Sequence, residues 1–497
     1  MGDAATNKRP LAGDLGMLAV LALGLVIFHT LTNGQYGFHR DELATIDDGR
    51  FPAWGYVAYP PVTPLIARLA FALFGPSLVG LRFFAALAQA LALVFAGLMA
   101  RELGGRRPAQ IMAACAAATS PVALNAGALF QYVSLDYLWW VLAAYFMIRL
   151  LASEDPRWWL GVGSAIGLGM MTKYTIAFLA AGIAAGVLLT PARRYLRSGW
   201  LWCGAALSLV IFAPNLIWQI EHHFVSLDFL RSIHERDIRI GRTSGFLSDQ
   251  LKSTLFVLPL WLPGLFYYLV SKEGARLRAV AWMFLVPMAL FIVSQGRGYY
   301  AAPEYPMLLA AGAVVAERWS RLARGLAWAA LVFGGMAFAA FLLPLAPVNS
   351  SWWHLLVKND EDFAEEVGWP ELVETVAGIR NSLPAEDRSH LAILTGNYGE
   401  AGAIDLYGPA YGLPPARSGI NSYWSRGYGD PPPDTLIVVG LSRSFLERNF
   451  ASCELAGHIT NRYGVANEET VQHPDIFVCR RLRRPWPEFW QHFRYYG

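Results

Sequence analysis

Paired acids follow the first apolar stretch of the chain, in the segment YGFHRDELATIDDGRFPAWGYVAYPP at 36–61. A carboxylate beside a membrane needs a partner or a task, because it gains little from lipid. Asp41 has the chemistry of a general base that takes a proton from a hydroxyl group. Glu42 is a second candidate catalytic acid, although a helix would turn it about 100° away from Asp41. The alternative is that these acids cap a solvated helix.

A third candidate catalytic acid, Asp136, lies in the aromatic segment FQYVSLDYLWW at 130–140. An acid at the end of an apolar stretch is costly unless it is paired or hydrated. The alternation of apolar stretches predicts that Asp136 and Asp41 face the same side of the membrane. We therefore predict a functional role for Asp136, with a helix N-cap as the alternative.

Two basic residues have the chemistry of phosphate ligands. Lys173, in GMMTKYTIAF, is the only lysine deep within the apolar stretches. Arg297 begins the segment RGYYAAPEYP and is followed by Tyr299 and Tyr300. A guanidinium group with nearby hydroxyls suits a phosphate at the headgroup level. The alternatives are a snorkelling Lys173 and an aromatic belt with a snorkelling Arg297.

Metal binding stays open at this point, and no cofactor is certain. Adjacent histidines point apart on a helix, so the pair at 222–223 has no specific metal-ligand spacing. The weak candidates for a divalent metal are Asp41, Asp136, His222 and His223. The candidates for contacting the acceptor, or for shaping the loop, are His39, Arg40 and Tyr59.

The Gly-rich segment GNYGEAGAIDLYG at 396–408 follows a predicted strand and enters a predicted helix. It has neither a GxGxxG pattern nor a P-loop lysine, so it is weak evidence for a nucleotide site. We interpret it mainly as fold geometry.

The composition predicts that these residues belong to a polytopic membrane protein. The chain has 497 residues, of which 55% are hydrophobic and 15% are charged. A soluble domain carries about 25% charged residues, so an ordinary soluble enzyme and a disordered chain are both disfavoured. A net charge of +3 without a long basic tract excludes nucleic acid as a partner. The lipid bilayer is the predicted surroundings.

About eleven apolar stretches approach the length of a membrane span, which is about 20 residues. They are 14–33, 78–100, 108–128, 133–151, 158–172, 174–190, 200–219, 254–271, 279–295, 299–317 and 325–345. Lys8 and Arg9 precede the first stretch and predict a cytoplasmic N-terminus. With this orientation every short inside loop is basic, and eleven spans leave the C-terminus outside.

These spans predict two domains. Residues 1–345 form a transmembrane catalytic domain with outer loops at 34–77 and 220–252, and 65–75 reads as a helix in the membrane interface. Residues 346–497 form an extracytoplasmic soluble α/β domain, with strands at 391–395, 435–440 and 476–479. Cys453 and Cys479 would be able to pair in an oxidising compartment.

Taken in order, these segments resemble the bacterial protein O-mannosyltransferase-like glycosyltransferases. That group belongs to the glycosyltransferase-C superfamily, alongside the lipid A aminoarabinose transferases. The resemblance covers most of the chain and rests on the ordered set, not on one motif. The matching motifs are HRDEL at 39–43, WGYVAYPP at 54–61, LR at 81–82, SLDYLWW at 134–140, GMMTKYT at 169–175, GYYAAPEYPML at 298–308, NYGEAGAIDLYG at 397–408 and SGINSYWSRG at 418–427.

The resemblance implies a membrane enzyme that uses a polyprenyl-phosphate-linked sugar. It implies inverting transfer of a hexose or pentose on the outer, periplasmic face of a bacterial inner membrane, with Asp41 deprotonating the acceptor hydroxyl. Asp136 matches a second acidic position, and Lys173 and Arg297 match basic positions near the carrier phosphate. Glu304 departs from the pattern, because the family often has an apolar residue there. The acceptor stays open between a glycan, a lipid and a protein.

Two other functions remain as alternatives. A transporter or flippase favours ionisable groups near the bilayer midplane and repeated halves, whereas these candidates cluster toward one face. A membrane sensor would act through its exposed tail, and its membrane acids would be dispensable.

Overall fold

The computed structural model describes residues 11–359 and 361–497. Its contacts divide the chain into two compact units. Within the described residues, unit 1 contains 11–32, Arg82–Ile217 and Asp237–Leu343, and unit 2 contains Asn33–Leu81, Trp218–Arg236 and Pro344–Gly497. Lys8 and Arg9, on which the expected orientation of the N-terminus depends, lie outside the described residues.

The chain is helical throughout its apolar part. The α-helices there are α1 (Leu11–Thr32), α2 (Arg40–Arg50), α3 (Val62–Phe74), α4 (Leu78–Glu102), α5 (Arg107–Ala118), α6 (Pro121–Ala128), α7 (Tyr132–Ser153), α8 (Trp159–Met170), α9 (Ile176–Leu189), α10 (Gly199–Glu221), α11 (Val225–Arg239), α12 (Phe246–Thr254), α13 (Leu258–Leu269), α14 (Arg278–Val293), α15 (Tyr305–Ala316) and α16 (Arg321–Leu342). Short 3₁₀ helices join several of them, including Gly298–Glu304 before α15.

Six helices in the described residues are long and apolar enough to cross a membrane: α1, α4, α7, α10, α16 and the stretch Ala275–Val293 that contains α14. Two bent pairs, α5 with α6 and α9 with Pro191–Arg197, raise the number to eight if each pair is one span. Each of the eleven predicted stretches contains helix. However, α8, α13 and α15 have 12 residues each, or about 18 Å, against an apolar core of about 30 Å. The count of eleven spans therefore stays a prediction.

Small residues bring the helices of unit 1 close together. A Cβ atom at Gly264 of α13 would lie 2.0 Å from the carbonyl oxygen of Leu308 in α15. In return, a Cβ atom at Gly312 of α15 would lie 1.9 Å from the carbonyl oxygen of Leu260. Only glycine allows this approach, so the two backbones pack directly, as is common where helices associate in lipid.

Unit 2 contains a five-stranded sheet with the order β2-β1-β3-β5-β4. Its strands are β1 (Leu391–Thr395), β2 (Ala416–Ser418), β3 (Thr435–Val439), β4 (Phe450–His458) and β5 (Asp475–Leu482). β1 is parallel to β2 and β3, whereas β5 is antiparallel to β3 and β4. The three strands predicted from the sequence are confirmed, and β2 and β4 are additional.

The described residues of unit 2 also contain eight short helices in the C-terminal part of the chain. They are α17 (Ser351–Asn359), α18 (Trp369–Ser382), α19 (Ala385–Ser389), α20 (Tyr398–Tyr407), α21 (Asn421–Trp424), α22 (Arg443–Asn449), α23 (Glu468–Val471) and α24 (Trp486–His492). Aromatic residues of α24 and apolar strand residues form the core on one side of the sheet. Cys453 and Cys479 stand opposite each other in β4 and β5 and form a disulfide.

The compact units differ from the expected division after residue 345. The first outer loop, with α2 and α3, packs in unit 2 together with the C-terminal sheet. The predicted interfacial helix at 65–75 is present as α3, and its Leu65, Leu69 and Leu73 are exposed. Its place in a membrane interface stays a prediction.

Candidate active site

Asp41 and Glu42 stand in the first turn of α2 and have different local tasks. The cap of the helix is His39, whose Nδ1 accepts a hydrogen bond from the Asp41 N–H at 3.2 Å. The Glu42 carboxylate accepts one from the His39 N–H at 2.9 Å and is fully buried. The capping interpretation therefore describes Glu42, while the carboxylate of the half-buried Asp41 points to another partner.

That partner is a tyrosine from the C-terminal part of the chain. The Tyr398 hydroxyl donates to Asp41 Oδ1 at 2.9 Å. Burial and the nearby Asp41 charge raise the pKa of Tyr398 well above its usual value. The tyrosine therefore stays protonated and acts as the donor. Sequence reasoning missed Tyr398, because its segment was interpreted as fold geometry.

His39 and Arg40 belong to an ion-pair network. Glu365 Oε2 lies 3.1 Å from His39 Nε2 and 2.9 Å from Arg40 Nε, and Arg40 also pairs with Glu468. Burial lowers the pKa of His39, but Glu365, Asp41 and other acids outweigh it and raise that pKa to about 9. His39 is thus a buried cation. The ion pairs of His39 and Arg40 are internal to the protein, and a role of either residue in contacting the acceptor stays a prediction.

One group of side chains in the described residues has the ligand types of a metal site. His39, Asp362 and Glu365 each offer a ligand atom, and these atoms lie within 4.8 Å of one another. Two cationic side chains already bind Glu365 Oε2, so a metal ion would have to displace the imidazole proton beside a guanidinium group. The residues fit an ion-pair network better than a metal. None of the four predicted metal candidates belongs to this group.

Tyr59 also has an internal partner. Its hydroxyl donates to Asp48 Oδ2 at 2.8 Å, and Arg426 pairs with Asp48 Oδ1 at 2.7 Å and with Asp47. Burial raises the pKa of Asp48 to about 6, although Arg426 opposes this. Arg426 lies in SGINSYWSRG, so this motif holds the C-terminal end of α2.

Asp136 lies inside α7 in unit 1. The helix begins at Tyr132 after the cap residue Gln131, so the N-cap interpretation of Asp136 is wrong. Its buried carboxylate accepts hydrogen bonds from Trp140 Nε1 at 3.2 Å and Thr175 Oγ1 at 3.4 Å. A catalytic role for Asp136 stays a prediction.

The four predicted phosphate ligands lie together in unit 1. The Lys173 ammonium lies 4.0 Å from the ring centre of Tyr300 and 5.5 Å from that of Tyr299. The Tyr132 ring is a third neighbour at 5.2 Å. Arg297 Nη1 donates to the Tyr299 hydroxyl at 3.4 Å, which joins both cations to one tyrosine. These residues form a basic cluster lined by aromatic rings and hydroxyls.

Asp237 completes this basic cluster and was not predicted as a site residue. Arg297 Nε donates to Asp237 Oδ2 at 2.6 Å. The sequence feature that could have pointed to Asp237 was its position as an acid in the predicted outer loop 220–252. The paired histidines of the same loop are exposed, and His222 stacks on Trp218 with ring centres 4.0 Å apart.

The Gly-rich segment 396–408 has a cap where a nucleotide phosphate would bind. Glu400 Oε2 accepts from the N–H groups of Gly396 at 2.9 Å and Asn397 at 3.1 Å. The protein's own carboxyl group therefore occupies the place at the start of α20 where a phosphate would bind. The cap supports the interpretation of this segment mainly as fold geometry.

The fold is found among solved structures of membrane enzymes. The chain aligns with ArnT from Cupriavidus metallidurans bound to undecaprenyl phosphate with a TM-score of 0.61 and 15% identity. The alignment covers 95% of this chain and 98% of that chain. The same enzyme in the apo state gives a TM-score of 0.60. At this identity the likeness concerns the fold alone.

Sequence comparisons show similarity to one protein family and to several curated glycosyltransferases. Residues 58–218 match the family described as dolichyl-phosphate-mannose-protein mannosyltransferase. The lipid A galacturonosyltransferase RgtD of Rhizobium johnstonii is 24% identical over 42% of this chain and 44% of its own length. An undecaprenyl phosphate-alpha-4-amino-4-deoxy-L-arabinose arabinosyl transferase of Pseudomonas aeruginosa is 29% identical over 50% of this chain and 48% of its own length.

The chain thus spans about half the length of the curated relatives it matches. Together with the fold, these matches confirm the resemblance predicted from the ordered motifs. They support a glycosyltransferase-C protein that is similar to the lipid A aminoarabinose transferases.

Proposed function

We propose that this chain is a membrane glycosyltransferase that moves a sugar from a polyprenyl-phosphate-linked donor to an acceptor hydroxyl. The observation that carries the proposal is the basic cluster in an apolar helical unit. Three tyrosine rings lie around the Lys173 ammonium, and its charge interacts with the buried Asp136 carboxylate. Two cationic side chains lined by tyrosine rings and hydroxyls in apolar surroundings suit a lipid phosphate.

The proposed reaction is a direct displacement at the sugar. Asp41 takes the proton of the acceptor hydroxyl, and the oxygen forms a bond to the anomeric carbon. The bond from that carbon to the phosphate oxygen breaks, and the polyprenyl phosphate leaves with the electron pair. One displacement inverts the configuration at the anomeric carbon. Lys173 and Arg297 stabilise the charge that develops on the phosphate.

The side of the membrane and the acceptor class are parts of the same proposal. The disulfide between Cys453 and Cys479 supports an oxidising compartment, hence the outer face, for unit 2. The printed names of the relatives include lipid A as a substrate, which favours a lipid acceptor.

The test compares the wild type with Asp41→Asn and with Lys173→Ala/Arg297→Ala. Mass spectrometry measures polyprenyl phosphate in the purified proteins, and a labelled polyprenyl-phosphate sugar measures transfer to a cell-envelope lipid fraction. We expect Asp41→Asn to lose about 10²- to 10⁴-fold in transfer and to keep the lipid, because a general base contributes about that much. We expect the double variant to lose the lipid.

The matched control is Arg242→Ala/Lys252→Ala, which removes the same two charges at exposed positions of unit 1. It should keep both the lipid and the transfer activity. Full transfer by Asp41→Asn would remove Asp41 as the base. Unchanged lipid content in Lys173→Ala/Arg297→Ala would remove the phosphate site.

A further inference from the structure

We infer that Tyr398 is a positioning residue for Asp41, so that the C-terminal part of the chain supplies a side chain on which transfer depends. The inference rests on the proposed function, because it gives Asp41 a reaction to perform. Its direct observation is the hydrogen bond of 2.9 Å from the Tyr398 hydroxyl to Asp41 Oδ1. The two residues are 357 positions apart, and both belong to unit 2.

Local structure holds Tyr398 in place. It is the first residue of α20, whose start is fixed by a capping box. Asn397 Oδ1 accepts from the Glu400 N–H at 2.8 Å, and Glu400 Oε2 accepts from the Asn397 N–H at 3.1 Å. The backbone that carries Tyr398 is also tied to the end of β3, because the Gly396 N–H donates to the Val439 carbonyl at 2.9 Å.

Helix packing then brings Tyr398 to Asp41. A Cβ atom at Gly399 would lie 2.7 Å from Arg40 Cβ, and one at Gly402 would lie 2.7 Å from Leu43 Cβ. Larger residues at these positions would push α20 away from α2. The two glycines therefore set the close approach that the hydrogen bond requires, which explains their spacing in NYGEAG.

The hydrogen bond has a chemical consequence. A carboxylate can turn about its Cβ–Cγ bond, and a base must keep one orientation to meet a proton within hydrogen-bond reach. The Tyr398 hydroxyl holds Oδ1 and so restricts that turning. It is buried with a raised pKa, so it remains a donor while Asp41 is charged. Hydrogen bonds to charged groups are among the stronger ones in proteins.

The test is Tyr398→Phe, which removes the hydroxyl and keeps the ring that lies beside Arg40. We expect kcat for sugar transfer to fall about 10- to 100-fold, the range of a hydrogen bond to a charged group. KM for the donor and the amount of bound polyprenyl phosphate should stay within twofold. Thermal unfolding temperatures of the purified full-length variants report on folding.

The matched control is Tyr36→Phe. The Tyr36 hydroxyl donates to the Ala346 carbonyl at 2.6 Å in the same unit, so its removal also deletes one internal hydrogen bond. This variant should keep the wild-type kcat. An equal loss of kcat in both variants would overturn the inference, because any lost hydrogen bond would then have the same effect.

A double-variant cycle separates positioning from general stability. If Tyr398 acts through Asp41, then Asp41→Asn/Tyr398→Phe loses no more transfer than Asp41→Asn alone. Additive losses would overturn the inference. A wild-type kcat in Tyr398→Phe beside an inactive Asp41→Asn would overturn it and leave the proposed function intact. Full activity of Asp41→Asn would instead remove the proposed base itself.

Discussion

The buried Glu400 carboxyl group caps α20 and also packs against Gly440. It lies so close to Gly440 that a Cβ atom there would be 2.0 Å from Oε1. The side chain is 1% exposed. Burial and the neighbouring Glu469 raise the pKa of Glu400 to about 8, although the backbone N–H groups oppose this. At neutral pH the native group therefore holds a proton.

This protonation predicts a pH dependence of stability. A glutamate in an unfolded chain has a pKa near 4.3, so the native state binds one more proton than the unfolded state between about pH 4.3 and pH 8. Stability from this group therefore falls as the pH rises through that window. Glu400→Gln imitates the protonated acid and removes this contribution.

The measurement is thermal unfolding of both proteins at pH 5 and pH 8. The wild type should lose at least about 2 °C more than Glu400→Gln over this range, which corresponds to about 1 kcal/mol in a domain of this size. Glu447→Gln, an exposed glutamate, is the control and should behave as the wild type does. Equal losses in wild type and Glu400→Gln would show that Glu400 titrates in its usual range.

At the scale of elements, β4 depends on one neighbour. It pairs with β5 and is the edge strand of the sheet. Most of its side chains are exposed, so apolar burial contributes little to holding it. The disulfide joins these two strands and closes a loop with a sequence separation of 26 residues. A closed loop stabilises the folded chain because it restricts the unfolded one.

We therefore predict a loss of stability in Cys453→Ser/Cys479→Ser. The chain-entropy relation gives about 3.5 kcal/mol for a loop of this length, or about 7–14 °C in the unfolding temperature. Calorimetry in detergent measures the change, and a reductant should produce the same loss in the wild type. Cys203→Ser, at an exposed free cysteine, is the control. An unchanged unfolding temperature in the double variant would contradict the prediction.

At the scale of the whole molecule, ion pairs join the predicted inside loops of unit 1. Asp14 at the start of α1 pairs with Arg101 and Arg107, both at 3.1 Å. Further pairs connect the remaining loops: Glu102 with Arg149, Glu154 with Arg194, Arg106 with Glu317 and Glu273 with Arg318. The positive-inside pattern predicts that these helix ends lie on one side of the membrane. The ion pairs show that they are in contact with one another within unit 1.

This arrangement leads to a topology prediction that cysteine labelling can check. In a Cys203→Ser background, Val471→Cys places an exposed thiol in unit 2, and Arg157→Cys places one in a predicted inside loop. A membrane-impermeant maleimide should label Val471→Cys in intact spheroplasts and Arg157→Cys only after permeabilisation. Detergent-solubilised protein should label at both positions, which controls for access. The reverse pattern would place the proposed site on the cytoplasmic face.

The sequence determined the helices of the apolar part, three of the five described strands of the tail and the residues of the basic cluster. Apolar stretches of near-span length have few stable alternatives to helix in lipid, because each backbone group must be satisfied internally. Lys173 and Arg297 were visible because charges and tyrosines are conspicuous in apolar surroundings. The ordered motifs carried the family resemblance because they too contain charged and aromatic residues that are conspicuous in apolar surroundings.

The tertiary structure decided which residues meet across long separations. The contact of Tyr398 with Asp41 and that of Arg426 with Asp48 join segments more than 350 positions apart, and no local periodicity encodes such pairs. Packing also divided the chain differently, because α2 lies against α20 through two glycines. Local patterns specify secondary structure and burial, whereas long-range partners depend on how complete surfaces fit.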